Sequence, residues 1–292
     1  MLLINNTNIN PYFNLAMEEY FLKNAKEDIF LLWQNENAII VGKNQNTLSE
    51  INYDYVKNNN IKVVRRQSGG GAVFHDLGNI NFTFISYNDN SFSDFKKFTM
   101  PIVAALKELN INAEFSGRND LLIDNQKFSG NAQYNYKNNV MHHGTLLFSS
   151  KINDLSAALK VKPSKFEGKG VKSVKSRVTN ISNHLGKEMS VVEFKDYLLN
   201  FINKRDENSH FYELTQEDIE NINKLVKDKY ETWEWNFGNS PKYSLNNELK
   251  YPGGNVEFSL NVVDGLIKNI KFFGDFFGKE DISFIENKLL NP

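Results

Sequence analysis

The sequence predicts an α+β fold: a mixed, largely antiparallel sheet carrying packed helices, followed by a small C-terminal unit. Two observations lead there. Short strands at Ala113–Phe115, Asp120–Ile123, Lys127–Gln133 and Val140–Phe148 succeed one another, with turn residues such as Asp124-Asn125 and Lys137-Asn138-Asn139 between them. The helical crossovers that a doubly wound parallel sheet requires are missing from that stretch.

The earlier elements fit the same layout. Asn10-Pro11 supplies a cap and a first-turn proline for a helix whose Phe13, Met17, Tyr20 and Phe21 recur at helical spacing and read as core. Phe30–Trp33 and Ala38–Val41 flank Asn35-Glu36-Asn37 and predict a hairpin. A polar loop, Gly42–Asn46, follows, with Lys43 read as solvated. A short helix at Tyr53–Asn58 leads to the strand Lys62–Arg65. In Asn79–Ile85, apolar Ile80, Phe82 and Phe84 alternate with Asn81 and Thr83, the pattern of a half-buried strand. Phe98, Ile102, Val103, Leu106 and Leu109 mark a long helix that Pro101 either kinks or begins.

Beyond residue 180, Ser190-Val191-Val192-Glu193 is a capping box opening a helix to about Asn203. Thr215 caps another, with Ile219, Ile222, Val226 and Tyr230 on one face. Trp233–Gly238 and Asn239-Ser240-Pro241 read as a junction. A hairpin (Gly254–Val262, turn Asp264-Gly265, Leu266–Phe273) and a helix, Asp281–Leu290, come after it. The expected division is therefore 1–238 and 244–292, with the second part too small for a core of its own and leaning on the first.

Composition removes several classes of function. Zero cysteines exclude disulfides, thiolate metal sites and a cysteine nucleophile, and the five histidines show no HExxH pattern. A net charge of −1 gives no general attraction to nucleic acid or anionic membrane. No apolar run nears membrane-spanning length and no signal-peptide pattern opens the chain, so a cytoplasmic location is expected.

Chemistry concentrates around Arg65-Arg66-Gln67-Ser68-Gly69-Gly70-Gly71-Ala72-Val73-Phe74-His75-Asp76. Consecutive glycines let backbone approach a ligand closely and aim several N–H groups at one anion, and arginine grips phosphate or carboxylate with two donors. Further stretches are rich in useful groups: Gly117-Arg118-Asn119-Asp120, Gln126-Lys127-Phe128-Ser129-Gly130-Asn131-Ala132, His142-His143-Gly144-Thr145 and Lys175-Ser176-Arg177-Val178-Thr179-Asn180. The last closes a basic segment in which Lys160, Lys162, Lys165, Lys169, Lys172, Lys175 and Arg177 face the single acid Glu167. That segment reads either as a solvated loop or as a flap that orders over a polyanion.

Taken in order, RRQSGGGAVFHD, SGRND, KFSGNA, HHGTLL and SRVTN, together with WEWNFG, resemble the lipoate–protein ligases over nearly the whole chain. The resemblance implies the fold shared by biotin and lipoate ligases, with a catalytic domain and an accessory domain; because family members usually continue past the helix at which this chain stops, either that accessory domain is reduced or the chain is incomplete. It implies ATP-dependent activation of lipoate to lipoyl-AMP, with magnesium. Transfer would then go to a lysine of a lipoyl domain, on a 2-oxoacid dehydrogenase E2 subunit or the glycine-cleavage H protein. A monomer without nucleic-acid or membrane partners is expected. Neither step needs an enzyme nucleophile, in keeping with the absence of cysteine, so positioning and charge carry catalysis.

On that reading Lys127 bridges carboxylate and α-phosphate. Arg66 and the N–H groups of Gly71, Ala72, Val73 and Phe74 hold the adenylate or the lipoyl carbonyl. Asn119 and Asp120 contact nucleotide or magnesium. His75 and His143 shape the pocket. Ser176, Arg177, Thr179 and Asn180 grip adenine, ribose or phosphate, and Ser68, Gly69, Gly70, Gly130 and Gly144 complete the binding set. Three other readings stay open: an acyltransferase of the same fold without adenylation, a biotin ligase (disfavoured because its GRGRxG-type loop is absent), and a non-catalytic adenylate- or lipoyl-domain-binding module.

Overall fold

The computed structural model describes residues 1–89, 91–151, 159, 178–238, 245–263 and 266–290. Its first strands and helices are β1 (Leu2–Asn5), α1 (Pro11–Asn24), β2 (Ile29–Trp33), β3 (Ala38–Val41), α2 (Thr47–Glu50), α3 (Tyr53–Asn58), β4 (Lys62–Arg65), β5 (Val73–His75), β6 (Asn79–Ser86) and α4 (Phe95–Glu108). Then come β7 (Ala113–Ser116), β8 (Asp120–Ile123), β9 (Gln126–Tyr136), β10 (Asn139–Leu147), β11 (His210–Phe211), β12 (Leu245–Tyr251), β13 (Gly254–Val263) and β14 (Leu266–Gly274). Helices at Val191–Asn203, Gln216–Leu225, Trp233–Phe237 and Ser283–Leu290, a 3₁₀ turn at Ile181–His184 and a π-helical turn at Val226–Tyr230 complete the described elements.

An eight-stranded sheet, ordered β11-β1-β2-β6-β10-β9-β8-β7, forms the platform. β1 pairs in parallel with both β2 and β11, and the remaining pairs are antiparallel, so the sheet is mixed and largely antiparallel as expected. Because successive side chains point to opposite faces, β2 sends Phe30 and Leu32 into one core cluster and Ile29, Leu31 and Trp33 into another. The first cluster lies under α4 and Val191–Asn203, and the second under α1 and Gln216–Leu225. A smaller sheet, β4-β3-β5, joins the second face through Ile40, Val64 and Val73.

The expected hairpin at Phe30–Trp33 and Ala38–Val41 does not form. β2 pairs with β1 and β6 in the large sheet, while β3 lies between β4 and β5 in the small one. The connection crosses between sheets because Asn35 turns inward, where its Oδ1 accepts from Asn14 Nδ2 at 2.9 Å. Four strands had no forecast at all: β1, β5, β11 and β12. Pro101 lies in the interior of α4 instead of its first turn.

Trp233–Phe237 is more than a junction. Arg65 is fully buried and donates to the carbonyls of Gly42, Lys43, Gln45, Trp235 and Asn236 and to Thr47 Oγ1. Among the described residues no carboxylate pairs with it; its charge is spread over backbone dipoles, and burial lowers its pKa to about 10. The first arginine of the pair is therefore a knot tying this helix to the polar loop after β3.

The C-terminal unit is the antiparallel sheet β12-β13-β14 with Ser283–Leu290 fastened to it by Lys271–Glu286 at 2.6 Å. It leans on the main body as anticipated. Gly274 N–H donates to Asn44 O at 2.8 Å, and Lys43, expected to be solvated, pairs with Asp281 at 2.7 Å. The turn Asp264-Gly265 lies outside the described residues. Among the described residues no helix is long and apolar enough to cross a membrane.

Candidate functional site

Strand register alone lines up five residues across the α1 face of the large sheet. Trp33 pairs with Asn81 and Asn81 with Thr145; continuing the β9–β10 register places Thr145 beside Gly130, which pairs with Asp120. All five line a cavity of about 320 Å³, together with Leu15, Ile40 and the glycine turn. One step along the same face, Leu31, Thr83, His143 and Ala132 form a parallel row.

The polar end of the first row carries Lys127. Its ammonium pairs with Asp120 Oδ1 at 2.7 Å, and both side chains are more than a third exposed. Gly130 makes this pose possible: a Cβ there would stand 3.0 Å from Lys127 Nζ. Arg118, Asn119 and Asp275 line the same end. Arg118 donates to Gly253 O and to Asp275 O (3.3 Å), and its guanidinium lies 4.6 Å from the Phe277 ring centroid.

Over the row sits the glycine turn, and Arg66 holds it from inside. Arg66 donates to Ser68 Oγ (3.0 Å), Ile40 O (3.2 Å), Gly69 O (2.6 Å) and Gly71 O (2.8 Å). Three of these bonds go to the turn itself and the fourth ties it to β3, so Arg66 fixes the shape of the cradle. Burial lowers its pKa to about 10, with Glu18 opposing. Gly70 has φ +91°, which L side chains resist. Gly69 faces the C-terminal unit instead: a Cβ there would lie 2.3 Å from Phe276 O.

A buried network ties the turn to the sheet. Ser68 Oγ is 2.6 Å from His143 Nε2, and His143 Nδ1 donates to Glu18 Oε1 at 2.9 Å. Thr83 Oγ1 donates to the same carboxylate (2.6 Å) and accepts from Trp33 Nε1 (3.0 Å). Beside it, Glu19 receives Gln67 Nε2, Lys23, Lys229 and Tyr230. Burial pushes the Glu19 carboxyl up, but these donors outweigh it and hold its pKa at about 2.

The cavity brings together Arg66, Gly70, Gly71, Ala72, Val73, His75, Asn119, Asp120, Lys127, Gly130, His143 and Gly144. Ser68 and Gly69 stand behind it as supports. Phe74 pairs with Ile39 and packs in the small core cluster, so its ring does not line the cavity. Thr179 N–H donates to Lys127 O at 3.0 Å and its hydroxyl meets His184, while Asn180 exchanges hydrogen bonds with Ser150. Thr179 thus fastens the strand that bears Lys127, while Asn180 ties down the chain after β10. Ser176, Arg177 and the basic segment before them lie outside the described residues.

Sequence reasoning missed Glu18, Trp33, Asn81 and Asp275. A signal existed for the first: adjacent glutamates inside an otherwise apolar helix are costly unless partnered. For magnesium, no group of three or more metal-ligating side chains occurs among the described residues. Asp120 and Asp275 nonetheless offer the one or two carboxylates that suffice for an ion carried mainly by nucleotide phosphates.

Residues 10–203 match the family model of the lipoyl protein ligase A/B catalytic domain, and residues 240–292 that of the bacterial lipoate protein ligase C-terminus. The chain is 50% identical to lipoate-protein ligase LplJ of Bacillus subtilis, over 99% of this chain and 89% of that one. Among solved structures, P. falciparum LipL1 in complex with lipoate aligns with TM-score 0.80 and 29% identity, covering all of this chain and 89% of that one. A lipoate-protein ligase A bound with ATP aligns with TM-score 0.69 and 27% identity, over 81% and 98% of the two chains.

Proposed function

Since the chain belongs to the lipoate–protein ligase family, we propose that its cavity joins lipoate to ATP at the Lys127 end and shelters the acyl chain in the half beside Trp33. The observation that carries this reading is the placement of the Lys127 ammonium over Gly130, in the same cavity as Leu15, Trp33 and Ile40. A lipoate carboxylate there attacks the α-phosphate, the bond to pyrophosphate breaks, and lipoyl-AMP forms. The ammonium offsets charge on both reacting groups, and electrostatic stabilisation of this kind is usually the largest catalytic contribution. In the second step the ε-amine of an acceptor lysine attacks the acyl carbon, and AMP leaves.

Asp120 holds Lys127 in place before substrates arrive and, with Asp275, would hold magnesium on the nucleotide phosphates. The ion would supply charge neutralisation there. Arg118 and Asn119 border the nucleotide, Ser176 and Arg177 are assigned to nucleotide contact, and Arg66 keeps the glycine turn in register to receive it. The catalytic part is assigned to residues 1–238 and the accessory part to 244–292. The acceptors are lipoyl domains of E2 subunits or the H protein, met in the cytoplasm.

The test is pyrophosphate release with ATP and magnesium, with and without lipoate, before any acceptor is added. Lipoate-dependent release is the expected result. Absence of release, together with lipoyl transfer from supplied lipoyl-AMP, would identify a transferase instead.

A further inference from the structure

The blind end of the cavity holds two polar side chains that the ligase reading leaves unused. His75 and Asn81 line it at 3% and 2% exposure. His75 Nε2 and Asn81 Nδ2 are buried and have no hydrogen-bond partner among the described residues.

Their hydrogens follow from the groups behind them. Asn14 Nδ2 faces Asn8 O, Gln34 O and Asn35 Oδ1, which fixes the Asn35 amide with its Nδ2 toward His75 Nδ1 at 3.0 Å. His75 Nδ1 is thus the acceptor. Burial, then the charge of Arg66, keeps the ring neutral, so Nε2 carries the hydrogen. Asn81 Oδ1 accepts from Asn79 Nδ2 at 3.0 Å, leaving its amino group unpaired; Asn79 Oδ1 is unpaired as well. In this pose the Asn81 amino group is an unmatched donor facing the cavity.

The register measures the distance to the chemistry. Asn81 is two strands from Gly130, about 10 Å by ordinary strand spacing. An extended chain of about eight carbons spans that distance. A saturated chain ending there would leave both polar groups buried against hydrocarbon, an unfavourable arrangement. A dithiolane ring instead presents two sulfur atoms, which are weak acceptors.

Resting on the ligase reading, we propose that His75 and Asn81 form a sulfur-recognition subsite that makes this chain prefer lipoate to sulfur-free acids of the same shape. The probe is the carbocyclic analogue of lipoate, in which both sulfur atoms are methylene groups. In wild-type protein, kcat/KM for pyrophosphate release should favour lipoate over this analogue by about tenfold. Asn81→Leu keeps the branching and removes both polar atoms, and should bring that ratio toward unity. Asn81→Ala serves the same purpose should the leucine variant fold poorly. Equal rates for the two acids in wild-type protein, or a wild-type ratio in a folded variant, would overturn the subsite and leave the ligase reading standing. Release with neither acid would overturn the ligase reading, and the subsite with it.

Discussion

At the mouth of the cavity, Lys127 and Asp120 are each more than a third exposed and are paired with each other. At the blind end, Trp33, His75 and Asn81 are at most 3% exposed and are held by groups behind them: Thr83, Asn35 and Asn79. The mouth thus owes its geometry to a solvent-screened ion pair that a substrate can readily exchange. The blind end is preorganised and carries unmatched polarity before any ligand enters. One end is suited to charge that changes during reaction, the other to recognising a shape and a chemistry that do not change.

The sharpest way to separate the two ends is Lys127→Ala. Removing one positioned charge costs about 3 kcal/mol of transition-state stabilisation, so lipoate-dependent pyrophosphate release should fall at least ~100-fold. Lipoate binding, followed by calorimetry without nucleotide, should change far less. A rate near wild type would remove Lys127 from the chemistry.

Acid tests the blind end next. The His75 ring is held at a pKa of about 3, while in the unfolded chain it titrates near its ordinary 6.5. Below that value the unfolded state binds the extra proton, so stability is lost as pH falls from about 6.5 toward 3, by at most about 1.4 kcal/mol per pH unit. Equilibrium unfolding at stepped pH should show this slope, and His75→Gln should reduce it. An unreduced slope would place the acid sensitivity elsewhere.

A smaller effect is expected for Gly130→Ala. The new Cβ would stand 3.0–3.1 Å from the end of a flexible lysine, which yields by a small displacement. Adenylation should slow by about tenfold or less through misplacement of the ammonium, with the lipoate-to-analogue ratio unaltered. Smallest of all should be Asp281→Asn. Its partner Lys43 is shared with the Tyr134 ring, and the aspartate is half exposed, so unfolding free energy should move by less than about 1 kcal/mol. A larger loss would show that the contact between the two units depends on this pair.

The mouth was legible in the sequence because its residues are marked by type: a lysine before small residues, an Asn-Asp pair, a triple glycine. The blind end was not. In Asn79–Ile85 the alternation correctly indicated a strand, but its polar members were taken to face solvent. Asn81 and Thr83 are in fact buried at 2% and 0%, because α1 and the small sheet cover that face. What alternates is one core against another, and only the packing of a second layer reveals it. The failed hairpin has the same origin: a short polar connection reads as a reversal until Asn35 is seen bonded to Asn14 and turned inward. Glu18 lay hidden in a helix whose apolar stripe was sound, since its partners Thr83 and His143 are 65 and 125 residues away.

Gly69 carries a consequence for modularity. Its backbone lies so close to Phe276 O that no side chain fits between them, so at this point the seam between the two units is a fit of main chain against main chain. Relatives that exchange their C-terminal units must reproduce this main-chain approach as well as the Lys43–Asp281 and Arg118–Phe277 contacts. A one-residue insertion or deletion between β14 and Phe277 would displace that carbonyl and disturb the glycine turn packed against it. Loop length, more than sequence identity, should decide which chimeras of this family work.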